Sequence, residues 1–255
     1  MCAVCGHRFC PPECPEYDPT TDPDVRGWCE ICGGPLYGIG EQYCLSCLES
    51  IEAAEDADDI VFDADKHEYT VNGEIVPCVS DIVSCFGKDL DEGDDLELVM
   101  DAAADRGTTC HKVLEMLLKG EEPEYPSVYE PYVEAIRLFM DEHTIVPFAI
   151  ETPIYSAVYG YAGTPDLLCM FDGILTVVDY KFVSQIAKTK VKAQINAYCK
   201  AYEEKDIFPD QLLAVQFLKG GTYRIYPVKY DDTELEVALK LWELKQKKHP
   251  RGKIA

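Results

Sequence analysis

Gly163-Thr164-Pro165-Asp166-Leu167-Leu168-Cys169-Met170-Phe171-Asp172-Gly173-Ile174-Leu175-Thr176-Val177-Val178-Asp179-Tyr180-Lys181 is the stretch whose reading decides the fold. Two runs of β-formers flank Asp172-Gly173, a dipeptide suited to a two-residue hairpin loop whose central positions need positive φ. That loop makes 171 face 174, 170 face 175, and Asp166 face Asp179. Side chains directly opposite on one face have Cβ atoms about 4.5–5.5 Å apart. Two carboxylates so close repel, and a cation between them resolves the repulsion. Lys181 lies two residues beyond Asp179 and shares its face. Paired carboxylates suit a hard cation such as Mg2+. A neighbouring lysine can orient water or stabilise charge developing on a phosphate. The plain alternative is a surface Asp–Lys pair on a solvated hairpin end.

Outward from this hairpin, β and helical patterns alternate. Upstream, Ile60-Val61-Phe62 precedes a second hairpin signal, Asn72-Gly73, within Glu68–Val76, and Ser80 reads as the N-cap of a short helix. Helical patterns follow at 96–118, with Gly107 as a weak point, and at 132–142. Ala149–Tyr155 and Gly163–Phe171 read as the two strands before Ile174–Lys181. Downstream, Leu212–Leu218 and Thr222–Val228 flank Gly220-Gly221 as a closing hairpin. Asp231–Lys248 reads as an amphipathic helix with Leu235, Leu239 and Trp242 on its apolar face. Helical spacing puts His111 and Glu115 on one face, and Gln194 and Tyr198 on another. Taken singly, each pair is ordinary helix surface or core edge.

The chain has 255 residues, 47% of them hydrophobic, which excludes a disordered acidic tail. No apolar run reaches the length of a membrane span, and Met1-Cys2-Ala3-Val4-Cys5 does not read as a signal peptide, so a cytoplasmic location is expected. With 23 Lys+Arg against 47 Asp+Glu the net charge is −24, which argues against a nucleic-acid ligand. The charge is uneven, however. Residues 1–100 carry a net −20, whereas 178–255 carry +5, with Lys188, Lys190 and Lys192 close together. A polyanion would meet the C-terminal part of the fold.

Eight of the 13 cysteines fall in the first 47 residues. Cys29-x2-Cys32 and Cys44-x2-Cys47 are two CxxC pairs, each able to present two thiolates to one tetrahedral Zn2+. Cys2, Cys5, Cys10 and Cys14 offer a second zinc site, with His7 as a spare ligand; a cross-braced pairing of all eight and an iron–sulfur cluster are alternatives. A module this short would draw its folding energy from metal binding. The scattered Cys78, Cys85, Cys110, Cys169 and Cys199 read as small buried apolar residues in a reducing compartment.

Taken together, Gly107-x3-His111, Glu151, Gly163-Thr164-Pro165-Asp166, Asp179-Tyr180-Lys181 and Gln194-x3-Tyr198 resemble the PD-(D/E)XK nuclease superfamily, in particular its RecB-like and phage-type exonuclease branch. Tyr69–Gly73 and Val76–Ser80 are similar to the lead-in of phage members, and the resemblance spans about residues 60–230. It implies a restriction-endonuclease-like α/β core, a central mixed sheet flanked by helices. It further implies that Asp166, Asp179, the Tyr180 carbonyl and His111 bind Mg2+ or Mn2+, and that Lys181 activates or positions the attacking water. Gln194 and Tyr198 would support the site or contact DNA, and Glu151 would hold a metal-bound water. Family members with iron–sulfur clusters take cysteines from both sides of the core; here none lies beyond Cys199, which favours zinc.

The expected organisation is a zinc module over 1–48, an acidic linker over 49–59 and a nuclease domain over 60–255. The expected function is hydrolysis of DNA at ends or in single strands, in phage or mobile-element recombination or repair. A rival from another class is a non-catalytic zinc protein whose acidic N-terminal region mimics DNA to recruit a basic partner.

Overall fold

The computed structural model describes Gly27–Trp28, Pro35–Leu36 and residues 59–64, 66–86 and 96–248, with backbone alone for 27, 28, 35, 36, 96–104 and 248. The eight N-terminal cysteines and residues 49–58 of the acidic stretch lie outside the described residues. The strands are β1 (Gly27–Trp28), β2 (Pro35–Leu36), β3 (Ile60–Asp63), β4 (Glu68–Val71), β5 (Glu74–Val76), β6 (Ile145–Ile150), β7 (Ile154–Ser156), β8 (Tyr161–Gly163), β9 (Leu167–Phe171), β10 (Ile174–Lys181), β11 (Gln211–Leu218) and β12 (Thr222–Pro227). The α-helices are α1 (Val79–Val83), α2 (Leu96–Leu118), α3 (Glu130–Glu142), α4 (Lys188–Glu203) and α5 (Thr233–Lys248). Met1–Ala53 forms one compact unit, within which β1 pairs antiparallel with β2, and Ala54–Ala255 forms the other.

The β9–β10 turn forms as its dipeptide dictates: Asp172 and Gly173 have φ of +49° and +83°. The ladder pairs Ile174 with Phe171 and runs to Val178 opposite Leu167. This hairpin is the middle of a five-stranded sheet ordered β12-β11-β10-β9-β6. Its pairs are antiparallel except β10 with β11, which run parallel and are joined through α4. A parallel pair requires such a crossover. The unit is therefore α/β, with a mixed central sheet flanked by helices.

Alternation along the strands sorts the two faces. Val178 and Tyr180 of β10, Leu167, Cys169 and Phe171 of β9, and Leu213, Val215 and Phe217 of β11 pack with Val133, Ile136 and Phe139 of α3 and with Cys110, Val113 and Leu114 of α2. Phe139 is fully buried, stacked on Phe171 and edge-on to Phe217 and Tyr180. Burying each such side chain contributes roughly 1.5–3 kcal/mol. The opposite face, including Val177 and Ala214, lies on the side of α4. Asp179 belongs to that face, as the alternation requires.

Three local expectations change. Ser80 lies inside α1, and the cap is Cys78, whose sulfur accepts from the Asp81 N–H at 3.4 Å. The stretch 149–155 is not one strand: β6 ends at Ile150, Glu151 takes φ +49°, and β7 begins at Ile154 in a separate two-stranded sheet. Likewise 163–171 splits, because β8 pairs with β7 while β9 pairs with β6 and β10.

Candidate active site

The open end of the β9–β10 hairpin, opposite its turn, gathers the charged residues. The ladder's last pair is Val178 and Leu167, so Asp166 is one residue beyond it and Asp179 continues into the parallel pairing with Ala214. Asp166 stays attached to the hairpin because its Oδ2 accepts a short hydrogen bond from the Tyr180 N–H. The Tyr180 ring points into the core, edge-on to Phe139, which leaves only its backbone at the site.

Two further side chains arrive from distant segments. α2 supplies His111, next to the buried Cys110. Its ring lies edge-on to Phe182, and Arg106, one turn earlier, donates to the Phe182 carbonyl at 2.8 Å. Glu151 arrives through its left-handed backbone, a conformation that is costly for a residue with a β-carbon. Its N–H donates to the Asp166 carbonyl at 3.1 Å, extending the β6–β9 pairing by one bond before the chain turns away. His111 Nδ1 then lies 3.3 Å from Glu151 Oε1 and 3.6 Å from Asp166 Oδ1.

His111, Glu151 and Asp166 thus offer three ligand atoms within 4.8 Å of one another, an arrangement that can hold a metal ion. Asp179 is turned to Lys181 instead: the ammonium is 3.0 Å from Oδ1 and 2.7 Å from Oδ2. Asp179 is 1% exposed, and its Oδ2 accepts no hydrogen bond of good geometry.

The protonation equilibria report a shortage of positive charge. Burial pushes Asp179 up to about 6, against the pull of Lys181, and the Asp166 carboxylate pushes it further the same way. Burial also raises Asp166, against the attraction of His111 and with the support of Glu151. For His111, burial acts downward, but Asp166 and Glu151 outweigh it and the net shift is upward. Among the described residues, Glu151, Asp166 and Asp179 gather with Lys181 as the one ammonium in close contact, so negative charge is in excess when the imidazole is neutral. A divalent cation would offset that charge, and two carboxylates and an imidazole are donors that such an ion can take.

The remaining predicted residues fall into two groups. Gln194 and Tyr198 come to the site on α4: the Gln194 amide donates to the Tyr198 hydroxyl at 3.0 Å, and Tyr198 is buried. Tyr198 packs so closely on β8 that a β-carbon at Gly163 would lie 2.7 Å from its Cε1. The lysines of α4 are turned elsewhere. Lys192 is ion-paired with Asp231 at 3.0 Å and Glu234 at 2.7 Å, Lys188 lies over the Tyr226 ring, and Lys190 is half-buried. Glu115, on the His111 face by spacing, pairs with Lys112 and Lys119.

Sequence reasoning missed a groove of about 360 Å3 beside Glu151. It is built partly from β3 and β4, which the sequence marked as the run Ile60–Phe62 and as the strand before the Asn72-Gly73 turn, with φ of +51° and +83°, but without placing them beside the acid cluster.

No family model and no curated protein matches the chain. Among solved structures, an alkaline exonuclease (LHK-Exo) from Laribacter hongkongensis is similar at 12% identity and a TM-score of 0.33, over 68% of this chain and 90% of that one. Similarity at that level leaves the functional reading to the side chains.

Proposed function

We propose that this chain is a Mg2+- or Mn2+-dependent deoxyribonuclease that hydrolyses phosphodiester bonds at DNA ends or in single strands, in phage or mobile-element recombination or repair. The observation that carries the reading is the convergence of His111, Glu151 and Asp166 on one point beside the buried Asp179–Lys181 pair. Hydrolysis of a phosphodiester needs a nucleophilic water, compensation for the charge gathering on the phosphoryl oxygens, and a position for both. A divalent ion held by His111, Glu151 and Asp166 would polarise the phosphoryl oxygen and lower the pKa of water.

The chain's own residues do the rest. Without a cation the carboxylates repel a phosphate, so the acid cluster makes DNA approach conditional on the metal. Asp166 is held for ligation by the Tyr180 N–H. Asp179 fixes the Lys181 ammonium by two short contacts, and from there Lys181 places a positive charge against an incoming phosphate and orients the attacking water. Asp179 Oδ2, without a well-aligned donor, would be a further ligand for that ion. The Tyr180 carbonyl is the remaining ligand that the family resemblance implies. Gln194 and Tyr198 form the wall along which the strand enters. Lys188 and Lys190 would contact the DNA backbone further along α4. Lys192 would join them only by giving up its pairs with Asp231 and Glu234. The N-terminal cysteines would hold one or two structural Zn2+ ions, and the acidic stretch after them would recruit a basic protein partner.

The test is incubation of the purified protein with 5′- and 3′-labelled single- and double-stranded DNA and a closed circular control, in Mn2+ and in EDTA. Cleavage is expected in Mn2+ only, and its loss in Asp179→Ala and Lys181→Ala. Undiminished cleavage by both variants sinks the proposal.

A further inference from the structure

The groove next to the acid cluster has an unusual lining for a nucleic-acid surface. The rings of Phe62, His67, Tyr69 and Tyr198 border it, and among the described residues lining it none is lysine or arginine. Among those described residues the one carboxylate is Glu151, shared with the candidate metal centre. A phosphate would find no countercharge there and would be repelled by Glu151. A flat, uncharged heterocycle has what it needs: ring faces for stacking and hydrogen-bonding groups at the edge, in Ser80, Thr164 and the Gln194 amide.

The rings are held ready. Tyr69 is buried and fixed by a 2.7 Å hydrogen bond between its hydroxyl and Thr164 Oγ1. Phe62 leans on Tyr69 at 4.5 Å between centroids and remains 37% exposed, with His67 edge-on at 5.5 Å. His67 adopts φ +54°, an uncommon backbone for histidine, and its Nε2 lies 3.2 Å from Ser80 Oγ. An exposed ring against a fixed one, beside a strained histidine, is a preformed edge of a binding pocket rather than a core.

We propose that this groove is a nucleobase subsite: one unpaired base of the DNA strand stacks on Phe62 while the phosphate attached to that nucleotide lies at the cluster of His111, Glu151 and Asp166. The inference rests on the nuclease reading and adds its substrate class, a strand with at least one base flipped or free of its partner. A paired base keeps both faces in the duplex stack and cannot occupy the groove. Selectivity for unpaired strand follows from the pocket itself, without any sequence-specific contact.

The test reads binding apart from cleavage. Oligonucleotides carrying the fluorescent base 2-aminopurine at each position in turn, from either end, are titrated with full-length protein in Ca2+, and strand integrity is checked on a gel. Stacking is expected to quench the fluorescence at one position or a short run of positions. Phe62→Ala should weaken that binding about tenfold. Phe62→Trp should keep the quenching, and Phe208→Ala, which removes a 60% exposed ring that does not line the groove, should change nothing. Circular dichroism establishes that each variant is folded. No quenching at any position, or equal quenching with Phe62→Ala, overturns the subsite even if the wild type cleaves DNA in Mn2+. Quenching that depends on Phe62, with no cleavage in Mn2+, leaves a strand-binding groove and removes the nuclease.

Discussion

The two ends of the β9–β10 hairpin each place a histidine against aspartate, and they are in opposite electrostatic states. At the turn, Asp172 accepts from the Thr144 N–H at 2.8 Å and lies 2.7 Å from His143 Nδ1, whose other nitrogen reaches the Tyr223 hydroxyl. Burial acts to raise Asp172, but these hydrogen bonds prevail and hold it below the usual carboxylate range. At the open end, Asp166 and Asp179 are driven above that range. Hydrogen bonds at the turn match its charge, so that end is a staple. The open end gathers carboxylates whose repulsion a cation would offset, the state from which the proposed metal site is argued.

Breaking the open end should have the largest effect. Asp166→Asn or Asp179→Asn is expected to lower Mn2+-dependent cleavage by roughly 10²–10³-fold or more, the scale on which single electrostatic groups act in catalysis. The same substitutions remove a repelling charge, so in metal-free buffer the melting temperature should hold or rise. A fall of several degrees would mean the carboxylates are structural after all.

Metal should erase the contrast between the ends. Mn2+ at about 100 times its dissociation constant stabilises by about 2.7 kcal/mol. For a domain of this size that is a rise in melting temperature of roughly 5–10 °C. The rise should vanish in His111→Ala and persist in His143→Ala. Equal rises in both would place the ion elsewhere.

A third variant probes the wall beside the open end. Gly163→Ala puts a methyl 2.7 Å from Tyr198 Cε1 and 3.0 Å from Val79 Cγ2. Such overpacking costs about 1–3 kcal/mol and should move Tyr198, so cleavage should fall along with stability. A fully active, fully stable variant would show that the Tyr198 position is not critical.

The turn should yield the smallest effect. Asp172→Asn keeps the left-handed preference and the Thr144 acceptor but removes the charge. The carboxylate is 45% exposed, so after solvent screening the loss at pH 7 is about 0.5 kcal/mol. Because the folded pKa is lowered, this contribution is present above the unfolded value near 4 and disappears as pH falls through the folded one. Denaturant midpoints of wild type and variant should therefore converge at low pH; a constant gap would assign the effect to something other than the charge.

Much of this was legible in advance because it is local. A two-residue turn sets the register of its hairpin, so the neighbourhood of Asp166, Asp179 and Lys181 could be read from Asp172-Gly173 alone, and the helical period marked α2 to the residue. The strand reading failed at Glu151, where an apolar, β-forming stretch breaks because one residue adopts left-handed backbone. Nothing in the identity of a glutamate announces that conformation; the surrounding packing imposes it. The lysines of α4 read as a basic patch, but the partners of Lys192 are Asp231, 39 residues on and just before α5, and Glu234 in the first turn of α5.

What the sequence by itself determined is the hairpin, its register, and the acid pair with its lysine, since backbone sterics at a tight turn act over a few residues. Only the tertiary structure decided that His111 and Glu151, 40 residues apart, meet Asp166 to offer three ligand atoms at one point. It also decided that the hairpin of β4 and β5, with β3 beside it, supplies an aromatic groove next to those ligands. Those placements depend on how helices and sheets bury their apolar faces against one another, a long-range energy that no short stretch of residues encodes.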